Sequence, residues 1–343
     1  MSFTSEKREA IKQYILEKVA GGADDVVVNA MEAFSVSHNT VYRYLRELLK
    51  DGILEKAGKK YKLLSKNTTV TLSLSEVPKD SEDRVYEAVL EKHLAGLSEN
   101  AVRIWYYCFT EMVNNVLDHA EASQLSVLIH QDYMNTVVIL KDDGVGIFRK
   151  IKEYYHFPSL DDAIIELFKG KLTTDSAHHS GEGIFFSSRL MDVFVAISDG
   201  KVFSHMEFDE VREDLDAYLE LKDTERRQKG TVIFMRLSNF TEKTMRELMD
   251  QYADVDGGFY RTRIPIKNIF PTFPVSRSQA KRLTHRFDSF QEVELDFAGV
   301  SGIGQGFAHE LFVVFKTQHP DVLLLPFNTN DVVQRMILHV TAG

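Results

Sequence analysis

The chain has a single cysteine, Cys108, set in the apolar run IWYYCF, so it can form no internal disulfide and no cysteine-rich zinc site. A thiol in that setting is expected to be buried rather than nucleophilic, and redox chemistry is not expected. No window approaches the roughly 18 uninterrupted apolar residues of a membrane span. The opening MSFTSEKREAIKQY is polar and charged, without an apolar leader core. The expectation is a cytoplasmic protein with no membrane partner. Basic charge is also in short supply: 41 Lys+Arg against 51 Asp+Glu give a net charge of −10. That argues against nonspecific nucleic-acid binding by the molecule as a whole. The deficit is uneven, because residues 1–67 hold 12 Lys+Arg and 9 Asp+Glu, leaving 29 against 42 for the remainder. Any DNA contact therefore belongs to the first segment.

What is present suits two or three ordinary globular domains: 343 residues, 44% hydrophobic and 27% charged. Residues 1–67 read as three helices and a hairpin. EKREAIKQYILEKVA places Ile11, Tyr14, Ile15 and Val19 on one face, and DDVVVNAMEAF follows. SVSHNTVYRYLRELLKDG is capped by Ser37 or Asn39, ends at Gly52, and turns Val41, Leu45, Leu48 and Leu49 inward. ILEKAGKKYKLL predicts two strands turning at Ala57-Gly58. The phrase SVSHNTVYRYLRELLKDGILEK resembles the winged helix-turn-helix of bacterial regulators. The resemblance implies that His38, Asn39, Thr40, Tyr42, Arg43 and Arg46 face DNA and that Lys59 and Lys60 are wing contacts to phosphate. A winged helix used only for protein contacts is the alternative, given the small positive balance.

FTEMVNNVLDHAE, residues 109–121, is cleanly amphipathic. At about 100° per residue, Glu111, Asn114, Asn115, Asp118 and His119 fall within an arc of roughly 140°. Phe109, Met112, Val113, Val116, Leu117 and Ala120 fill the opposite side. The bland reading is a solvated outer face. Yet this face has no Lys or Arg and offers mostly acceptors and amides, which suit a magnesium ion or water.

The order of motifs from residue 68 to 240 separates these readings. A helical E-x-x-x-N-x-x-x-H is followed by DDGVGI closing a strand, then SGEGIFFSSRLMDVF opening a helix, then GTVIFMRL opening a strand. This order resembles the GHKL ATP-binding fold of histidine kinases, gyrase-type topoisomerases, heat-shock chaperones and anti-sigma serine kinases. The resemblance implies that Asn115 ligates the Mg2+ bridging the ATP phosphates, that Glu111 is a general base and that His119 lines the same site. It implies further that Asp142 accepts a hydrogen bond from the adenine amino group. Gly144 and Gly146 would let the chain turn tightly against the nucleotide. Gly181 and Gly183 would present helix N–H groups to phosphate, and Thr231 would stand near adenine. Residues 148–180, with Lys171, Thr173, Thr174, His178 and His179, would form a lid. No phosphoacceptor histidine on a dimerising hairpin precedes the unit, since His93 in EKHLAGL lacks the adjoining acidic residue. The phrase SGEGIFFSSRLMD is closer to the anti-sigma kinase branch.

Beyond residue 240, VELDFAGVSGIGQGFAHELF, DVLLLPFN and NDVVQRMILHV alternate strand and helix. The pattern D-F-x-G-V…F-A-x-E-L resembles a STAS-like domain, a relative of anti-sigma antagonists. In those, a loop serine accepts phosphate. Here Gln305 stands at that position and Ser301 is displaced from it, which points to a docking or regulatory module.

The resulting expectation is an α/β multi-domain chain: a winged helix over 1–67, a Bergerat-type α/β sandwich binding ATP over 68–240, and a small STAS-like α/β domain over 241–343. Expected partners are ATP or ADP with Mg2+, DNA at the winged helix, a protein at the STAS-like domain, and a second copy in a homodimer. Three activities remain open: an ATP-responsive regulator with slow hydrolysis, an anti-sigma-type serine/threonine kinase, and a nucleotide-binding module without turnover.

Overall fold

Side-chain oxygens of Thr4, Asp25 and Ser37 accept the N–H groups of Lys7, Val28 and Thr40, opening α1 (Ser5–Ala20), α2 (Val26–Phe34) and α3 (His38–Lys50). Ser37, rather than Asn39, is thus the cap of α3. The computed structural model describes residues 4–170, 182–206, 212, 215, 216, 218, 229–253 and 259–342. In its first unit the three helices close around Ile11, Ile15, Leu16, Ala30, Val41, Leu45 and Leu48. Tyr44 is fully buried there as well, while Leu49 is only half-buried. β1 (Leu54–Ala57) and β2 (Lys60–Leu63) form the antiparallel hairpin, with Gly58 at a φ of +65° in its turn.

The second unit is a six-stranded sheet in which every neighbouring pair is antiparallel. Its strands are β3 (Lys66–Ser73), β4 (Gln124–Gln131), β5 (Asn135–Asp142), β6 (Val193–Ser198), β7 (Lys201–Phe203) and β8 (Thr231–Ser238), in the order β3-β4-β5-β8-β6-β7. Pairing of Lys66 with Gln131 draws β3 back two residues ahead of the expected division at residue 67. Alternation along the strands gives the sheet two apolar faces. One, with Leu125, Val127, Ile129, Val138, Leu140, Phe194, Ala196 and Met235, packs against α4 (Glu82–Val89) and the long α5 (Glu99–His119). The other, with Val137, Ile139, Val195, Ile197 and Phe234, is met by Leu215 and Tyr218.

Much of the expected lid is ordered core. Residues from 147 on form α6 (Ile147–Tyr154) and α7 (Leu160–Lys169), whose Phe148, Ile151, Ala163, Leu167 and Phe168 are buried in the face shared with α5. The apolar spacing of both helices anchors them there, so a lid beginning at 148 is not what the chain builds. Lys171, Thr173, Thr174, His178, His179 and Gly181 lie outside the described residues. α8 (Gly183–Leu190) then leads into β6.

The third unit is a parallel sheet of β9 (Arg261–Pro265), β10 (Glu292–Asp296) and β11 (Leu323–Phe327), with β10 central. Ile264, Val293 and Leu295 pack against helices Arg277–Thr284, Gln305–His309 and Asp331–Thr341. The middle helix continues through a π-helical stretch, Glu310–Phe315. Met245 and Leu248, although they follow residue 240, pack on the core of the six-stranded sheet. The whole is a mixed α/β chain with several sheets.

Candidate functional site

α5 carries the site because it has two kinds of side. Trp105, Cys108, Phe109, Met112 and Val113 are buried in the core that α5 shares with the sheet and neighbouring helices. Burial pushes the Cys108 thiol up to about 12, so it stays protonated and is no nucleophile. On the opposite side Glu111, Asn114, Asn115, Asp118 and His119 are all half-buried. A solvated outer face would leave them exposed, so neighbouring elements cover this one.

α8 covers the Glu111 end. A Cβ added to Gly183, its first residue, would collide with the Glu111 carboxylate, at 2.9 Å from the carboxyl carbon and 3.3 Å from the Glu111 Cβ. A side chain at 183 would have to push the Glu111 carboxylate aside. The carboxylate consequently lies at the N-terminal end of α8, where the helix dipole favours negative charge. Asn115 Nδ2 donates to the Glu111 carbonyl at 2.9 Å, which turns the amide so that Oδ1 is the end suited to a cation. Tyr107, one turn before Glu111, has its phenol pKa raised by burial, with Glu111, Cys108 and Glu182 adding to the effect. It is a neutral hydrogen-bonding group at the edge of the acidic cluster.

A second cluster sits at the C-terminal end of α5, nine residues and about 13 Å along the axis from Glu111. Val145 N–H donates to the Ala120 carbonyl at 2.8 Å, and a Cβ on Gly144 would overlap that carbonyl. His119 stands in the last turn beside it. Gly146 has a φ of +91°, a backbone state that side chains resist, and packs against Ser198 and Asp199. Asp142 is 5% exposed and accepts the Gly144 N–H at 2.8 Å. Burial raises its carboxyl pKa, against the lowering effect of hydrogen bonds from Gly144 and Thr231. Thr231 Oγ1 accepts the Ile147 N–H at 3.0 Å.

Of the residues expected from the sequence, the structure thus brings Glu111, Asn115 and Gly183 into one group and Asp142, Gly144, Gly146 and Thr231 into another. His119 and the rest of the half-buried face of α5 run between them. Gly181 lies outside the described residues. Two participants, Tyr107 and Ser198, escaped the motif reading, and a third, Gly230, opens its GTVIFMRL box but was given no role there. Tyr107 could have been found from its position four residues before Glu111. Gly230 was detectable beside Thr231, and its Cα closes onto the Asp142 carbonyl. Ser198, which donates to the Gly230 carbonyl at 2.9 Å, left no signal because only the β6–β8 pairing puts it there.

The residues expected to meet DNA form a separate surface. His38, Asn39, Arg43 and Arg46 are exposed on α3, with Thr40 and Tyr42 half-buried. The His38 and Tyr42 rings pack at 4.4 Å, and Arg43 leans over Tyr44. Lys59 and Lys60 are exposed in the hairpin, and Lys60 Nζ pairs with Asp24 at 2.7 Å.

A cavity of about 280 Å³ lies at the other end of α8, lined by Ser188, Arg189, Met191, Asp192, Phe194 and His205 among others. Its polar groups satisfy one another. Ser188 Oγ donates to the Phe185 carbonyl at 2.8 Å and contacts His205 Nε2 at 3.1 Å, and Asp192 binds Lys243 and the Ser238 N–H, both at 2.7 Å. Among the described residues no cluster of three or more His, Cys, Asp or Glu could hold a metal by itself, and no helix is long and apolar enough to cross a membrane.

No curated protein matches the chain. Residues 279–334, which span helix Arg277–Thr284 to the start of helix Asp331–Thr341, match the family described as STAS-like domain of unknown function (DUF4325).

Proposed function

We propose that the middle unit binds Mg-ATP in the manner of a GHKL, Bergerat-type fold, and that the protein is an ATP-responsive regulator. Its N-terminal unit acts as a winged helix on DNA, and its STAS-like unit docks a protein partner. The observation that carries the reading is the approach of Gly183 to Glu111, which puts a helix N-terminus and an acidic side chain at one end of a half-buried polar face. A triphosphate fits that end, since helix N–H groups suit phosphate oxygens. Adenine fits the other, where Asp142 is buried and its carboxyl can accept an amino group. Asn115 Oδ1 would hold Mg2+, whose remaining ligands are phosphate oxygens and water, in keeping with a site that has no dedicated acidic cage. Glu111 would take the proton of an attacking water. His119 would line the channel between the ends, and Gly144, Gly146 and Thr231 would bound the adenine pocket.

The exposed Arg43 and Arg46 on α3 and Lys59 in the hairpin give the DNA surface its cations. Gln305, exposed at the first turn of its helix, offers no hydroxyl to phosphorylate. Phosphotransfer within the chain is therefore disfavoured relative to hydrolysis, and the STAS-like unit is read as a docking module. A homodimer would match paired half-sites on DNA.

Incubating the full chain with labelled ATP and Mg2+ and following both free phosphate and protein mass tests this. Slow release of free phosphate is expected. Phosphate gained by the protein itself instead of released would make it a kinase of the anti-sigma type, nucleotide bound without turnover would make it a binding module, and no nucleotide bound would end the proposal.

A further inference from the structure

The seam between the middle unit and the STAS-like unit is built around one side chain. Arg189, in the last turn of α8, donates Nε to the Tyr252 hydroxyl at 3.1 Å, Nη1 to the Phe185 carbonyl at 3.0 Å, and Nη2 to the carbonyls of Phe168 at 3.3 Å and Arg263 at 3.1 Å. Those acceptors belong to α8 itself, to α7, to β9 of the parallel sheet and to the segment joining the units. Its guanidinium also lies 3.4 Å from the centre of the Phe185 ring. Burial lowers its pKa to about 10, so it remains a cation at neutral pH. A planar group with donors fixed in several directions ties three elements as a flexible ammonium does not.

The apolar contacts run the same way. Phe185 and Phe186 of α8 belong to the core of the STAS-like unit and pack against Tyr252 and Phe259, the Phe185 ring at 4.9 and 4.8 Å. α7 is fastened beside them. Thr262 Oγ1 of β9 donates to the Lys169 carbonyl at 2.7 Å, and Lys169 Nζ, fully buried, reaches Glu166 and the His285 carbonyl, each at 2.6 Å. The same short helix thus has Gly183 against Glu111 at its start and the STAS-like unit at its end. Six residues, about 9 Å of helix, separate the two.

We infer that the STAS-like unit positions α8 over the Glu111 end of the polar face through Arg189, and so regulates in cis how the middle unit grips the phosphates of its nucleotide. Arg189 is a positioning residue: it touches neither Glu111 nor the adenine corner. The inference rests on the nucleotide reading above and adds to it a regulator and a route. Whatever a partner does to the STAS-like unit is felt first at the phosphate end, because α8 has no part in the Asp142 cluster.

The test separates phosphate grip from adenine grip by titrating the full chain with Mg-ATP and, separately, with adenosine. Arg189→Gln is expected to weaken ATP about tenfold while leaving adenosine unchanged. A general loss of packing would lower both alike, so equal losses overturn the inference, as does unchanged ATP affinity. Should Arg189→Gln fail to fold, Tyr252→Phe decides. It removes one acceptor of Arg189 but keeps the ring, and is expected to weaken ATP alone by about threefold. No selective loss in that variant overturns the inference. A wild-type chain that binds neither ligand is a different result, which removes the nucleotide reading itself.

Discussion

α3 and α5 are both amphipathic helices with an apolar side in a core, and from periodicity alone they look alike. They end up as different surfaces. The polar side of α3 carries His38, Asn39, Arg43 and Arg46 and is open to solvent. That of α5 carries Glu111, Asn115, Asp118 and His119 and is half-covered by other elements. A covered polar face needs its groups hydrogen-bonded or paired, and Glu111, Asp118 and His119 each have a partner. An open cationic face has no such need and suits a large polyanion. Residue type decides what each face can bind, and tertiary cover decides whether the ligand is enclosed or docked.

That contrast can be broken at several points. The largest effect is expected at Glu111. Glu111→Gln keeps the shape of the side chain and removes the proposed base, so on that proposal ATP turnover should fall by about a hundredfold or more while nucleotide affinity is kept, as phosphate-release rates and titration calorimetry would show. Equal turnover in the variant would take the general-base role from this residue. Next is Gly183→Val, whose side chain must enter space held by the Glu111 carboxylate. We expect nucleotide affinity to drop about a hundredfold, or roughly 3 kcal/mol, with circular dichroism checking that the fold persists.

Asp142→Asn sharpens the comparison further by separating stability from function. Burial raises the Asp142 carboxyl pKa, so folding favours its protonated form. As pH rises from the unfolded carboxyl value through the higher folded one, the unfolded state gives up its proton first and stability falls. At neutral pH the ionised carboxylate is therefore a net cost that Asn avoids. The variant should melt no lower than wild type at pH 7, lose that relative advantage as the pH is lowered below the folded value, and bind ATP about tenfold more weakly for want of the proposed adenine acceptor. A variant that melts lower at pH 7 yet binds ATP normally would reverse both assignments. The smallest effect belongs to the open face: Arg43→Ala with Arg46→Ala should lower the slope of log affinity for DNA against log salt by about 2 and weaken all sequences similarly. An unchanged slope would show that α3 does not meet phosphate.

Local order was largely legible before any coordinates. The 3.6-residue period of 109–121, a cap at Ser37 or Asn39 and the alternation of residues 69–73 required no knowledge of the rest of the chain, since each depends on neighbours within a turn or a strand pair, whereas residues 74–76 leave the strand for a 3-10 turn. Less legible was the stretch from 148 on. The resemblance implies a lid there, whereas Phe148, Ile151, Leu167 and Phe168 make α6 and α7 part of the core.

The sequence by itself determined which residues can do chemistry: an acidic and amide face on α5, a basic excess confined to the first 67 residues, and a single thiol in an apolar run. Those follow from side-chain identity and short-range spacing. Only the tertiary structure decided that Gly183 rests on Glu111, that Ser198 and Gly230 close around Asp142, and that Arg189 ties α8 to the parallel sheet. Each of those contacts joins residues at least 30 positions apart. Contacts of that range are fixed by how the two sheets and their helices pack, and no local period or cap records them.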